Sequence, residues 1–189
     1  MPLPPPIDRT PLHRREIALD GYLRADGMFD IEAHLTDVKR YDFPNRLQGV
    51  VTAGTPVHDM WMRLTIDEKM TIHAVSAVTD SAPYQVCPDI TPNFQRLVGL
   101  SIGAGWRRAI KERLGGVHGC THLVELLAPL GTVAYQTLIG HKMKRQRESG
   151  EPRPPSTSRP AVLNTCHAYD ATGPIVAELW PDWAAKAEV

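Results

Sequence analysis

Residues 30–37, Asp-Ile-Glu-Ala-His-Leu-Thr-Asp, alternate polar and apolar side chains cleanly as far as Thr36. A strand turns successive side chains to opposite faces, so this run fits a half-buried β-strand and not a helix. Ile31, Ala33 and Leu35 point one way, while Asp30, Glu32, His34 and Thr36 point the other. Glu16 to Leu23 reads similarly, with Ile17 and Leu19 set against Glu16, Ala18 and Asp20, and the intervening Ala25-Asp26-Gly27 is turn chemistry. Val57 to Ile66 and Met70 to Val78 make two further strands around a hairpin connection at Asp67-Glu68-Lys69. Strands that follow one another this closely are most simply an antiparallel meander, with the Ile31 face turned to a core.

After Tyr84 the period changes. Thr91-Pro92 is a helix start, and Phe94, Leu97, Val98 and Ile102 follow at helical spacing. Gly103-Ala104-Gly105 interrupts the pattern before Trp106, Ala109, Ile110 and Leu114 resume it, and Gly115-Gly116 ends it. A second helix begins near Thr121 with Leu123, Leu126, Leu127, Leu130, Ala134, Leu138 and Ile139 on its inner side, a kink expected at Pro129, and a cationic end at Lys142, Lys144, Arg145 and Arg147. The fold class is therefore α+β: an antiparallel meander followed by two or three helices packed on one face. A C-terminal β-hairpin is expected around Asp170-Ala171-Thr172-Gly173, although Pro174-Ile-Val-Ala-Glu-Leu equally suits the start of a short helix.

Nine of the 17 prolines fall within residues 2–11 and 152–160. They mark an extended N-terminal arm, residues 1–13, and a polar linker, residues 148–160, around a core domain of residues 14–147. Residues 161–189 are expected to pack on that core. The 189 residues carry 21 basic and 21 acidic side chains, a balance unlike the basic surface that phosphate neutralisation requires. A nucleic-acid partner is not expected, and the cations from Lys142 to Arg147 read as a solvated helix end. Three cysteines make a poor disulfide framework, no secretory leader is evident in MPLPPPIDRT, and no charge-free apolar run reaches bilayer length. The expectation is a cytoplasmic protein without a membrane partner.

The eight histidines are unevenly spread, and the densest group is Val117-His118-Gly119-Cys120-Thr121-His122, directly before the long helix. A helix N-terminus carries partial positive charge and unpaired N–H groups, which favour a thiolate or a developing anion. His118 and His122 add proton carriers there. Plain capping by Thr121, with Cys120 buried and the histidines solvated, is the alternative. Cys166-His167 is a second group, of which only one side chain can share a pocket with the first. Cys87, Cys120, His122 and Cys166 are a chemically reasonable zinc set, but no CxxC or HxxxH spacing supports it. On the sheet, Asp30, Glu32 and His34 share one face; His58 shares a face with Met60, opposite Asp59, Trp61 and Arg63. Under a cover such as the arm or a second subunit, a carboxylate beside His34 gains a shifted pKa useful for proton transfer; without one, the face is merely solvated. Nothing in the sequence supports dinucleotide binding, P-loop phosphate transfer or the common hydrolase mechanisms.

Several of these segments together resemble the bacterial DUF2889 family, a domain of unknown function: Arg9-Thr10-Pro11-Leu12-His13, residues 30–37, His58 to Asp67, Gly119-Cys120-Thr121-His122-Leu123 with Glu125-Leu126-Leu127, and Thr165 to Tyr169. The resemblance spans nearly the whole chain and implies a bacterial cytoplasmic protein whose relatives sit among genes for breakdown of aromatic compounds. Together with the histidine clusters it leads us to expect a small enzyme acting on an aromatic, lignin-derived metabolite. The expected reaction is cofactor-independent acid–base cleavage of a carbon–carbon bond, with loss of formaldehyde or carbon dioxide. The expected base is His122 or His34, with Arg63 or Tyr84 as anion stabiliser and Glu32 or Asp30 as orienting carboxylate. His58 and Cys120 complete the catalytic set. Trp61, Met60, Trp106, His118, Cys166 and His167 are the expected substrate-binding residues. A non-enzymatic module for an aromatic or acyl ligand, and a zinc-dependent hydrolase, are the alternatives; a homodimer is compatible with either.

Overall fold

A computed structural model describes residues 3–46, 49–150 and 158–185. The chain divides into two compact units, Met1–Lys144 and Arg145–Val189.

In the first unit the alternating segments form the strands β1 (His13–Leu23), β2 (Phe29–Lys39), β5 (Pro56–Ile66) and β6 (Ile72–Ser81). They pair in that order as an antiparallel four-stranded meander, and a small hairpin of β3 (Phe43–Asn45) and β4 (Gly49–Val51) is inserted between β2 and β5. On the inner face Phe29, Ile31, Ala33 and Leu35 of β2 lie beside Met60, Met62, Leu64 and Ile66 of β5, and all are buried. Residues 3–12, the exposed part of the arm, precede β1.

The helical part covers that face. Residues Cys87–Leu97 form a 3-10 helix rather than the α-helix that Thr91-Pro92 predicts, and Pro88 and Pro92, which lack N–H donors, disfavour regular α-helical bonding there. Helix α1 spans Trp106–Leu114 after the glycine interruption, and α2 spans Thr121–Ser149 as one helix that continues through Pro129. Phe94, Leu97, Trp106, Ile110 and Leu114 join Leu123, Leu126, Leu127, Leu130 and Ala134 in one apolar cluster with the sheet. Each fully buried leucine there contributes roughly 1.5–3 kcal/mol. Helix α2 is long and apolar enough by length and composition to cross a membrane; these core leucines account for much of that apolarity.

Three contacts show how α2 crosses the sheet. Arg15 near the start of β1 meets Glu125, a Cβ on Gly21 of β1 would sit 1.9 Å from Thr137 Oγ1, and Phe29 meets the His141 ring edge at 5.5 Å. Six residues of strand and twelve of helix both advance roughly 18–20 Å. The helix therefore runs parallel to β1, its N-terminus at the Arg15 end of the sheet, and Gly21 is where it comes closest.

In the second unit Leu163 and Val176 are buried. The chain doubles back in loose hairpin fashion, the Ala185 N–H donating to Ala171 O at 2.8 Å. It does so with helical turns: His167–Tyr169, α3 at Pro174–Leu179 and Pro181–Trp183. The short helix at Pro174 is thus the alternative that forms. Most of the expected linker, residues 151–157, lies outside the described residues, and α2 reaches Ser149 within it.

Candidate functional site

The apolar stripe of β2 does not end at Leu35. The same face continues to Asp37, whose side chain is only 2% exposed and is one of two buried polar residues among those described. Pairing brings Arg15 of β1 and His58 of β5 to either side of it. Arg15 donates from Nε to Oδ1 and from Nη2 to Oδ2, both at 2.8 Å. His13 Nε2 lies 3.0 Å from Oδ1 and His58 Nδ1 lies 3.0 Å from Oδ2. An ionised carboxylate accepts at about four lone-pair positions; here each is engaged by a nitrogen.

The start of α2 closes the cluster. The His122 ring lies against that of His58, centroids 3.7 Å apart and planes tilted by 33°. Its Nδ1 is 3.9 Å from Cys120 Sγ, and Glu125 one turn on pairs with Arg15. Gly119 lets the turn before α2 pack on the end of α1, since a Cβ there would sit 2.4 Å from Leu114 O.

Burial alone would raise the Asp37 carboxyl, but the hydrogen bonds and charge of Arg15, helped by His58, overcome it and hold the group at about 2. It is therefore ionised at neutral pH and only accepts. His58 must then carry its proton on Nδ1, which leaves Nε2 as a lone-pair base. Burial lowers the pKa of His58, followed by the charge of His122, while Asp37 pulls the other way. His122 is lowered by burial and then by Arg15, against Asp37 and Glu125. Both rings are neutral at neutral pH, in contact, and one is oriented by a buried carboxylate.

Asp37, His58 and His122 also bring potential ligand atoms within 4.8 Å of one another, and they form a two-histidine, one-carboxylate group. The fit to a metal is poor. Asp37 has no uncommitted acceptor position, and His58 Nδ1 is spent on Asp37. Of the expected zinc set, Cys120 and His122 are neighbours; Cys87 is not in this group and Cys166 belongs to the second unit.

The structure thus brings together His58, Cys120 and His122, and it sends the other sheet residues elsewhere. His34, Glu32 and Asp30 lie on the opposite face, where alternation puts them once Ile31, Ala33 and Leu35 are core. There His34 Nε2 is 2.7 Å from Asp59 Oδ1 and stacks on Trp61 at 3.5 Å, Arg63 pairs with Glu32, and Thr65 donates to Asp30. Arg63 and His34 are therefore not partners of His122. Met60 is buried in the core, and Trp106 is too, its Nε1 donating to Leu127 O at 3.0 Å, so both serve packing rather than line a pocket. His118, Cys166 and His167 are exposed, and Tyr84 stands at a cleft beyond β6.

Asp37, Arg15, His13 and Glu125 are the cluster members that sequence reasoning misses. The first had a visible signal, because residue 37 has the parity of Leu35 and not of His34. The letters Gly99-Leu100-Ser101-Ile102-Gly103 also spell the G-x-S-x-G nucleophile pattern, contrary to the expectation that the sequence carries no motif of the common hydrolase mechanisms. Ser101 Oγ, however, meets Thr71 Oγ1 at 3.4 Å rather than an imidazole.

Residues 13–136 match the family described as "Protein of unknown function (DUF2889)". No curated protein and no solved structure matches the chain significantly.

Proposed function

We propose that this chain, which belongs to the DUF2889 family of proteins of unknown function, is a small-molecule enzyme that moves protons between His58, His122 and an organic substrate. One observation carries this reading: a buried, ionised Asp37 fixes the proton of His58 on Nδ1 and presents Nε2 as a base. An imidazole neutral at the working pH takes a proton readily, and the adjacent carboxylate stabilises the imidazolium that forms. Neither step draws on a redox cofactor.

The reaction we assign is carbon–carbon cleavage of an aromatic compound with loss of a one-carbon unit. In the formaldehyde-releasing form, His58 Nε2 removes the proton of a hydroxymethyl group. The carbon–carbon bond breaks, its electron pair passes to a carbon conjugated with the ring, and the C–O bond becomes a carbonyl. The imidazolium then returns its proton to that carbon, so atoms and electrons balance without a co-reactant. His122, its ring against that of His58, keeps the departing proton within the pair.

The test is a panel of lignin-derived dimers and phenolic acids, with released formaldehyde and carbon dioxide measured directly. Turnover that falls at least a hundredfold in His58→Gln supports the reading. No release from any member of the panel overturns it.

A further inference from the structure

The sheet register leads from the histidine pair to a neighbouring cleft. One inner-face row runs Ile17, Leu35, Met60, Thr79 across the four strands, and the next runs Arg15, Asp37, His58. Between Met60 and Asp59 the register of β6 slips by one residue, Asp80, so that Ser81 pairs with Asp59. Bulges of this kind re-aim side chains and are common beside active sites. Continuing the register puts Ala82 opposite His58, and Ala82 does pack against the core.

Thr79 and Ala82 are two walls of a cleft of about 200 Å³ completed by Asp80, Pro83, Tyr84 and Pro88. Thr79 Oγ1 is buried and, among the described residues, has no hydrogen-bond partner. Leaving a buried hydroxyl unpaired is destabilising, and rotation of the Thr79 side chain, which lines the cleft, would let this hydroxyl meet a ligand's polar group.

We infer that this cleft is the substrate seat of the His58–His122 pair and that it takes a single phenol ring, its hydroxyl on Thr79 Oγ1 and its face between Tyr84 and the two prolines. The inference rests on the acid–base reading above. The size agrees, since a cavity of ~150 Å³ already holds benzene. The adjacency agrees too: Thr79 stands one strand across and two residues along from His58, a diagonal of roughly 8 Å between backbones. The phenol hydroxyl accepts from or donates to Thr79, and the Gln85 amide at the same cleft is a second partner. A benzylic substituent on such a ring points along the sheet toward His58 Nε2.

The probe is 4-hydroxybenzyl alcohol, titrated into the full chain and followed by amide and imidazole chemical shifts. Shifts at Asp80, Tyr84 and Gln85 that extend to His58, with affinity about tenfold lower in Thr79→Val and in Tyr84→Ala, support the inference. Thr79→Val is near-isosteric and removes an unpaired hydroxyl, so its melting temperature without probe should not fall. Shifts confined to another surface, or unchanged affinity in Thr79→Val, overturn it. Binding in the cleft without turnover of any panel compound leaves the seat standing and removes the acid–base reading. Turnover with shifts elsewhere does the reverse.

Discussion

The two faces of the sheet carry the same pairing of chemical groups and put them to different use. On the outer face His34 meets Asp59 at 2.7 Å, and on the inner face His58 meets Asp37 at 3.0 Å. Distance does not separate them. Burial does: Asp59 is 26% exposed and Asp37 is 2% exposed. Water screens the outer pair, which is then worth little. The inner carboxylate cannot be left without its partners, and its charge dictates the tautomer of the ring beside it. The ring beside an acid has its tautomer fixed here because a core stripe ends on that acid.

The sharpest way to break the contrast is to neutralise each carboxylate. Asp37→Asn leaves the Arg15 guanidinium with Glu125 as its remaining carboxylate and should lower unfolding free energy by about 3 kcal/mol. Asp59→Asn should lower it by less than about 1 kcal/mol. Urea titration of both reads the difference, and equal losses would remove the distinction between the faces.

Next in size is the comparison of histidines. His58→Gln and His122→Gln should each reduce turnover by roughly 10²–10⁴, while His34→Gln should stay within about twofold of the wild type, since only the inner rings meet the proposed substrate. A loss in the His34 variant as deep as in the others would move the chemistry to the outer face. Acid titration gives a third contrast. The Asp37 carboxyl lies below its unfolded value, so it stabilises the fold above pH 3.8, and that contribution fades as pH falls through about 2. Linkage puts it at roughly 2 kcal/mol, absent from Asp37→Asn. His58 and His122 are lowered as well; the unfolded chain therefore takes up protons first as pH drops below 6.5, and stability should begin to decline there. A flat stability profile from pH 7 to pH 4 would contradict both rings being half-buried and neutral.

The smallest effect probes the spacer between the faces. Gly21→Ala drives a methyl into Thr137 and should destabilise by about 1–3 kcal/mol. Thr137→Ala in the same chain should restore most of that loss.

Local pattern carried most of the architecture. Four strands, their meander order and the two stretches flanking Gly103–Gly105 follow from period and turn chemistry, because those act over neighbouring residues. The functional cluster depended on pairings that local pattern does not encode. Asp37 was readable by parity alone, yet it closes a run whose other acids face solvent. Arg15 and His13 lie before Glu16, where the expected strand began, and Arg15 meets a glutamate 110 positions later. Only the packing of α2 parallel to β1 brings that pair, and His122 with it, to one end of the sheet. The same distance hides the cleft, since its link to His58 passes through a one-residue slip on β6.

Arg15 has a wider meaning for the chemistry open to this scaffold. Its guanidinium holds one acceptor position on each carboxylate oxygen of Asp37 and supplies a single positive charge beside the histidine pair. Shortening that side chain to an uncharged one, as in Arg15→Leu, frees two acceptor positions on Asp37 and leaves its anion in need of a counter-charge. A homologue with such a residue at this position would have to bring that counter-charge to Asp37 from another element of the fold.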